Sequence, residues 1–255
     1  ALKENIKRFP KVSIAFSGGV DSTLLLQVAI DVLGPNVLPI TVNGAMLPDS
    51  EFAEAQALAK AMGAVPLVID ADVFSLENFV KNPADRCYHC KKFIFTQIKD
   101  TTRANGYEVI LDGSNLDDMK DYRPGIKALG ELGVFSPLKE AGLTKQDIRD
   151  ISAYYGLPTA TKPAMACLAT RIPTNTPITP TALTAIEAGE DFLKSLGLSQ
   201  YRLRLLGETA KIECDPGDFT TIIENRLVLI DTLKKVGIKT ITLDLAGYNC
   251  GNMNG

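Results

Sequence analysis

The stretch KVSIAFSGGVDSTLLLQVAIDVL, Lys11 to Leu33, decides the fold. Lys11 to Phe16 is a short apolar run of the kind that forms a buried strand, and Thr23 to Leu33 repeats apolar residues at helical spacing. A second strand-like run, Val37 to Val42, follows at once, so Lys11 to Val42 reads as a βαβ unit with parallel strands. Between strand and helix stands Ser17-Gly18-Gly19-Val20-Asp21-Ser22. Glycines let the backbone turn tightly and approach a ligand, and the amides at a helix start attract phosphate oxygens. The two serines add hydroxyl donors. No lysine follows the glycines, so this is not a Walker loop.

Outward from this unit the alternation continues. A helix is predicted over Asp49 to Met62, a strand over Val65 to Ile69, a helix near Lys91 to Ala104 and a strand over Val109 to Leu111. A closing helix runs from Thr144 to Tyr155, with Thr144 as cap and Gly156 as stop. This is the pattern of an α/β fold, a parallel sheet with helices on both faces. From Leu157 to Pro180 the prolines 158, 163, 173, 177 and 180 break any helix, which sets a domain boundary. Residues 1–160 are read as one domain and residues 161–255 as a second, smaller α+β domain. The latter has helices near Thr181 to Leu196 and Phe219 to Val236, and strands at Tyr201 to Leu206, Thr209 to Cys214 and Thr240 to Leu245.

The 255 residues are 45% hydrophobic and 22% charged, which sets aside disordered and collagen-like chains. No apolar run approaches the roughly 20 residues of a membrane-spanning helix, so no membrane partner is expected. Lys plus Arg number 27 and Asp plus Glu 30, a net charge of -3 that speaks against a nucleic-acid surface. Ala1 to Pro10 carries Lys3, Glu4, Lys7 and Arg8 and no export-like core, so a cytoplasmic, reducing location is the expectation. There the five cysteines, Cys87, Cys90, Cys167, Cys214 and Cys250, read as core residues, metal ligands or reactive thiols.

Ser17 to Ser22 resembles the pyrophosphate loop of the N-type ATP pyrophosphatases. Three further stretches are similar to one branch of that superfamily, the LarE family. They are Asp112-Gly113-Ser114-Asn115-Leu116-Asp117-Asp118, Asp121-Tyr122-Arg123-Pro124-Gly125 and Lys162-Pro163-Ala164-Met165-Ala166-Cys167-Leu168-Ala169-Thr170-Arg171-Ile172-Pro173. LarE proteins are sulfur transferases that make the nickel-pincer nucleotide cofactor of lactate racemase. The resemblance implies an ATP-dependent sulfurtransferase that forms AMP and pyrophosphate. Its substrate would be pyridinium-3,5-biscarboxylic acid mononucleotide, its sulfur would come from sulfide or another donor, and it would assemble as a homo-oligomer. The chemistry is coherent, because a carboxylate repels nucleophiles whereas its acyl adenylate carries a good leaving group. Ser17, Gly18, Gly19, Val20, Asp21 and Ser22 would hold ATP, and Gly113 and Asn115 lie in a loop after a strand, where parallel sheets bind ligands. Asp21, Asp117, Asp118 and Asp121 suit Mg2+, or the last three form an acidic turn.

Arg171, four residues after Cys167, and Lys162, five before it, favour a thiolate. The resemblance makes Cys167 the sulfur-transfer residue, with Asp21 and Arg171 as further catalytic residues, Arg171 as a holder of substrate carboxylate or adenylate. In many LarE proteins the corresponding cysteine gives up its own sulfur and becomes dehydroalanine. This chain also carries Cys87-Tyr88-His89-Cys90. A site of Cys87, Cys90 and Cys167 leaves a fourth position open, which suits a 4Fe-4S cluster holding sulfide better than a closed zinc site. The cluster route is therefore expected, with sacrifice of the Cys167 sulfur as the alternative. His89 reads as an exposed loop side chain, Cys214 as core, and Cys250, in a C-terminal turn, as a candidate reserve ligand or relay thiol.

Arg202 and Arg204 alternate on a strand and suit phosphate or carboxylate, or else make surface ion pairs. The resemblance implies a substrate-phosphate site there, with Glu190 and Glu213 nearby. Three rival functions remain. A tRNA thiolase would need a basic face, an amidating ligase would not need three cysteines, and a binding module would release no AMP or pyrophosphate.

Overall fold

The computed structural model describes residues 1–119, 124–163 and 166–248. The chain divides into two units, one of Ala1–Leu76 and Asp85–Ala164, the other of Glu77–Ala84 and Met165–Gly255.

In the first unit, strand β1 (Val12–Ala15) presents two covered faces. Val12 and Ile14 are buried in one apolar cluster, whereas the Ser13 hydroxyl turns the other way and meets that of Thr102 at 2.8 Å. The elements before and after it in this unit are α1 (Leu2–Lys7), α2 (Val20–Leu33), β2 (Val37–Asn43), α3 (Asp49–Ala61), β3 (Leu67–Asp70) and, after α4 (Glu77–Val80) of the second unit, α5 (Arg86–Ala104) and β4 (Ile110–Leu111). Then come α6 (Pro124–Leu132), α7 (Pro137–Glu140) and α8 (Lys145–Tyr154). All strand pairs are parallel, in the order β3-β2-β1-β4. Leu24, Leu25 and Val28 of α2, Ala55 of α3 and Ile148 of α8 pack with Val12 and Ile14. Phe95 and Ile98 of α5 and Leu129 of α6 pack with Ile40 and Ile110 in a second cluster. The doubly covered α/β sheet expected from the alternation of runs is thus the fold of this unit.

Some boundaries differ, each for a local reason. Helix α5 begins at Arg86, so the cysteine pair and His89 lie on a helix and not on a loop. Its first turn carries no apolar stripe to announce it. Val65 stays outside β3 and is 77% exposed. Thr144 forms a capping box with Asp147 at the start of α8, as its sequence position predicts.

The second unit contains α4 and then α9 (Pro180–Ser195), β5 (Tyr201–Leu206), β6 (Thr209–Cys214), α10 (Phe219–Glu224), α11 (Arg226–Lys235) and β7 (Thr240–Leu243). Strands β5 and β6 are antiparallel and β7 joins β6 in parallel, in the order β5-β6-β7. Helix α9 packs on β5 and against α11. The single helix expected over Phe219 to Val236 is broken at Asn225, whose side chain donates to the Thr221 oxygen at 2.8 Å. That local bond competes with helix continuation. Segment Glu77–Ala84 is stitched into this unit by the Asn82 amide, which donates to the oxygens of Pro173 at 2.9 Å and Thr176 at 3.0 Å. Among the described residues, no helix is long and apolar enough to cross a membrane.

Candidate functional site

The strand order reverses direction at β1 and β4, and the loops after these two strands meet at their carboxyl ends, where open parallel sheets form a ligand crevice. Gly18 takes a φ of +68°, and a Cβ there would stand 2.8 Å from Ala55 Cβ on α3. Only glycine fits that turn. Gly19 caps α2 and Val20 is buried. Ser22 closes the loop: its hydroxyl accepts from the Ser17 amide at 3.3 Å, lies 3.2 Å from the Ser17 hydroxyl and donates to the Gly19 oxygen at 3.2 Å. The first-turn amides of α2 have no partner within the helix, and with its dipole they make an anion site.

Asp21 stands in that first turn. One of its carboxylate oxygens accepts from the Asn115 amide at 3.1 Å, and the other is ion-paired with the Lys145 ammonium. A Cβ on Gly113 would lie 3.1 Å from the Ser22 nitrogen, so the loop after β4 comes close to the loop after β1. Asn115 also accepts from the amides of Asp117 at 2.9 Å and Asp118 at 3.3 Å. Asp118 accepts from the Asn115 amide at 3.0 Å, and Asp117 from the Lys145 amide at 2.7 Å. Behind them Asp112 is buried and accepts from the hydroxyls of Ser114 and Ser136. The fold therefore brings together Ser17 to Ser22, Gly113, Asn115, Asp117 and Asp118. Asp121 lies outside the described residues.

Cys87 and Cys90 are one turn apart at the start of α5, with Cys87 exposed and Cys90 half-buried. Arg86 places a guanidinium nitrogen 3.8 Å from the Cys87 sulfur. Lys92 and Lys127 lie 5.3 and 5.4 Å from the Tyr88 ring centre. The His89 ring lies 3.1 Å from the carboxylate of Asp85, the residue just before α5. Among the described residues no three His, Cys, Asp or Glu side chains form a metal-ligand group. Cys167 is half-buried in the second unit, just before the turn Leu168–Arg171. Cys214 is buried, and burial followed by the charges of Asp218 and Asp215 pushes its thiol up to about 11. Cys250 lies outside the described residues.

In the second unit Arg171, Glu190, Arg202, Arg204 and Glu213 form a buried charged cluster. Arg171 pairs with Glu190 through two nitrogens, at 2.8 and 2.7 Å. Arg204 donates to Glu213 at 3.0 Å and to the Thr170 oxygen at 3.1 Å. Lys211 meets the other Glu213 oxygen at 2.8 Å. Arg202 lies 5.2 Å from the Tyr248 ring centre, and burial followed by the Arg171 charge holds its guanidinium below the usual arginine range. Neither strand arginine is on an exposed face.

The chain is 36% identical over 255 residues to the pyridinium-3,5-bisthiocarboxylic acid mononucleotide synthase of Lactiplantibacillus plantarum, covering 98% of this chain and 91% of that one. It belongs to the LarE family. This LarE chain is also 38% identical over 258 residues to an uncharacterized protein of Synechocystis, covering 98% and 96% of the two chains. A more distant likeness, 25% over 170 residues, joins it to a glutamine-hydrolysing GMP synthase chain of Archaeoglobus fulgidus, over 62% of this chain and 55% of that one. No protein-family model matches the chain. With these relatives the LarE chain is an ATP-dependent enzyme of the pyrophosphate-loop superfamily. Sequence reasoning missed Lys145 in this site. Its position directly after the cap Thr144 was legible, and its reach to Asp21 was not.

Proposed function

We propose that this chain adenylates the carboxylates of pyridinium-3,5-biscarboxylic acid mononucleotide and converts them to thiocarboxylates for nickel-pincer nucleotide synthesis. The likeness to the Lactiplantibacillus synthase over 98% of the chain carries this reading. The glycine-turned anion site beside Asp21 supports its ATP half.

In the first step a substrate carboxylate oxygen attacks the α-phosphorus of ATP. The bond to the β-phosphate breaks and pyrophosphate leaves. The amides and hydroxyls of Ser17 to Ser22 hold the departing pyrophosphate, and Gly113 and Asn115 line the nucleotide. Asp21, Asp117, Asp118 and Asp121 are an all-oxygen donor set, which fits Mg2+ beside phosphates. In the second step a sulfur nucleophile attacks the acyl carbon, forming a C–S bond as the bond to AMP breaks. Arg202 and Arg204 hold the substrate phosphate, with Glu190 and Glu213 beside them as partners of Arg171 and Arg204, and residues 161–255 carry sulfur transfer while residues 1–160 carry adenylation. Cys167 is the sulfur-transfer residue.

Cys87, Cys90 and Cys167 are thiol donors of the kind iron takes, and the first two stand one turn apart on α5 with Cys87 exposed. A 4Fe-4S cluster would be held by Cys87, Cys90 and Cys167 and would supply the sulfide for transfer. The enzyme is read as a cytoplasmic homo-oligomer.

The test uses protein purified without oxygen. Iron and acid-labile sulfide per chain are measured, then pyrophosphate release and intact mass after one turnover with ATP and the dicarboxylate nucleotide. About four irons with unchanged mass supports the cluster route. A loss of roughly 34 Da instead assigns the sulfur to Cys167 itself. No pyrophosphate release with this substrate, or release with tRNA only, overturns the proposal.

A further inference from the structure

Arg171 is among the largest fully buried side chains of the protein, and all three of its guanidinium nitrogens donate to protein acceptors. Nε and Nη2 fork onto the two oxygens of Glu190. Nη1 donates to the backbone oxygens of Ala166 at 2.8 Å and Cys167 at 3.1 Å, and to the Thr170 hydroxyl at 3.0 Å. The Cys167 oxygen also accepts from the Thr170 amide at 2.9 Å and hydroxyl at 2.7 Å. Glu190 in turn accepts from the Leu203 amide of β5 at 3.0 Å, between the two strand arginines. Arg204 completes the circuit by donating to the Thr170 oxygen.

We propose that Arg171 and Glu190 are positioning residues that clamp the backbone around Cys167 to β5, and that Arg171 acts through this clamp without touching substrate. Resting on the sulfur-transfer reading above, the inference replaces the expectation that Arg171 holds a substrate carboxylate. A buried ion pair adds little stability over apolar side chains of the same size. What a guanidinium fork supplies is direction, since it meets a carboxylate in one plane while its remaining N–H groups point the other way. Here they point at the peptide that carries the thiol. The clamp thereby fixes the Cys167 backbone relative to β5, the strand that carries Arg202 and Arg204, and misplacement of a reacting group by about 1 Å is enough to slow a reaction some hundredfold.

Arg171→Ala alone strands the Glu190 charge, so the decisive variants are Arg171→Lys, which keeps the charge and loses the fork, and the double variant Arg171→Met/Glu190→Leu, which removes both charges. Each is tested for cooperative melting, for single-turnover thiocarboxylate and pyrophosphate formation, and for the pH profile of iodoacetamide alkylation at Cys167, read by peptide mass spectrometry. The expected result is folded protein whose thiocarboxylate formation falls about 100-fold, at least tenfold more than its pyrophosphate release, with a Cys167 alkylation rate changed about tenfold. Added guanidinium ion restores part of the transfer in Arg171→Ala. Wild-type transfer and alkylation in either decisive variant overturns the clamp. If the wild-type chain forms no thiocarboxylate, the sulfur reading fails, and the alkylation profiles still decide whether the clamp exists.

Discussion

The Lys145 ammonium is ion-paired with the Asp21 carboxylate at the mouth of the phosphate loop, although the two residues lie 124 positions apart. The loop has no lysine of its own, and a cation reaches it from the first position of α8. Without nucleotide the carboxylate and the ammonium neutralise each other. On the proposed ATP reading, the ammonium would meet polyphosphate oxygens and Asp21 would meet Mg2+.

Lys145→Ala is therefore expected to raise the ATP concentration needed for half-maximal pyrophosphate release about tenfold. That is the low end of a charge-assisted hydrogen bond, about 1.5–3 kcal/mol, discounted because both side chains are partly exposed. Lys145→Arg recovers part of the loss. Initial rates over a range of ATP concentrations measure it, and an unchanged ATP dependence in Lys145→Ala would remove the lysine from the site.

Gly18 and Gly19 make a paired prediction. Gly18→Ala forces a side chain into a φ of +68° and against Ala55, so a cost of about 1–3 kcal/mol and loss of ATP binding are expected. Gly19→Ala meets only the Ser17 hydroxyl, at 3.5 Å, with a φ of -80°, and is expected to fold with a cost under about 1 kcal/mol. Urea midpoints of the two variants distinguish them.

What the sequence reveals here depends on how local the physics is. The doubly covered sheet is legible because apolar period reports burial, and Ser17 to Ser22 is legible because turn, helix start and hydroxyls lie within six residues. Lys145 is not legible, since a lysine opening a helix looks the same whether it meets water or Asp21. Arg171 misleads for the same reason. Its spacing from Cys167 points to thiol or substrate, whereas its partner is Glu190, 19 positions on in α9. The cysteine pair reads as loop because the apolar stripe of α5 begins after it. Residues 77–84 carry no mark of the unit they belong to, because that is decided by Asn82 bonds to residues more than 90 positions away.

Cys214 predicts an alkaline limit on stability. Its thiol is raised from an ordinary value of 9.0 to about 11, chiefly by burial, so the folded chain keeps a proton that the unfolded chain releases. Stability from this group is present below pH 9 and is lost as pH rises through the folded value, by up to about 1.4 kcal/mol per pH unit in that window. Urea midpoints at pH 8 and pH 10 are expected to fall further for the wild-type chain than for Cys214→Ala. Equal falls in both would show that the thiol does not titrate this way.

Asn82 tests whether the excursion of residues 77–84 is integral to the second unit. It is fully buried, takes a φ of +55° and donates to the Pro173 and Thr176 oxygens, while its backbone oxygen accepts from the Asn175 amide at 2.8 Å. Asn82→Ala leaves two part-buried carbonyls short of a donor and keeps a strained backbone, at about 1–3 kcal/mol in all. Asn82→Gly relieves the strain and leaves the carbonyls short, so it is expected to lose about half as much. Hydrogen exchange locates the loss: amides of Asn175 and Ile178, which donate into residues 80–82, are expected to exchange faster in both variants, while those of β1 and β2 keep their protection. Faster exchange in β1 and β2 with residues 175–178 unchanged would mean that the segment stabilises the first unit instead.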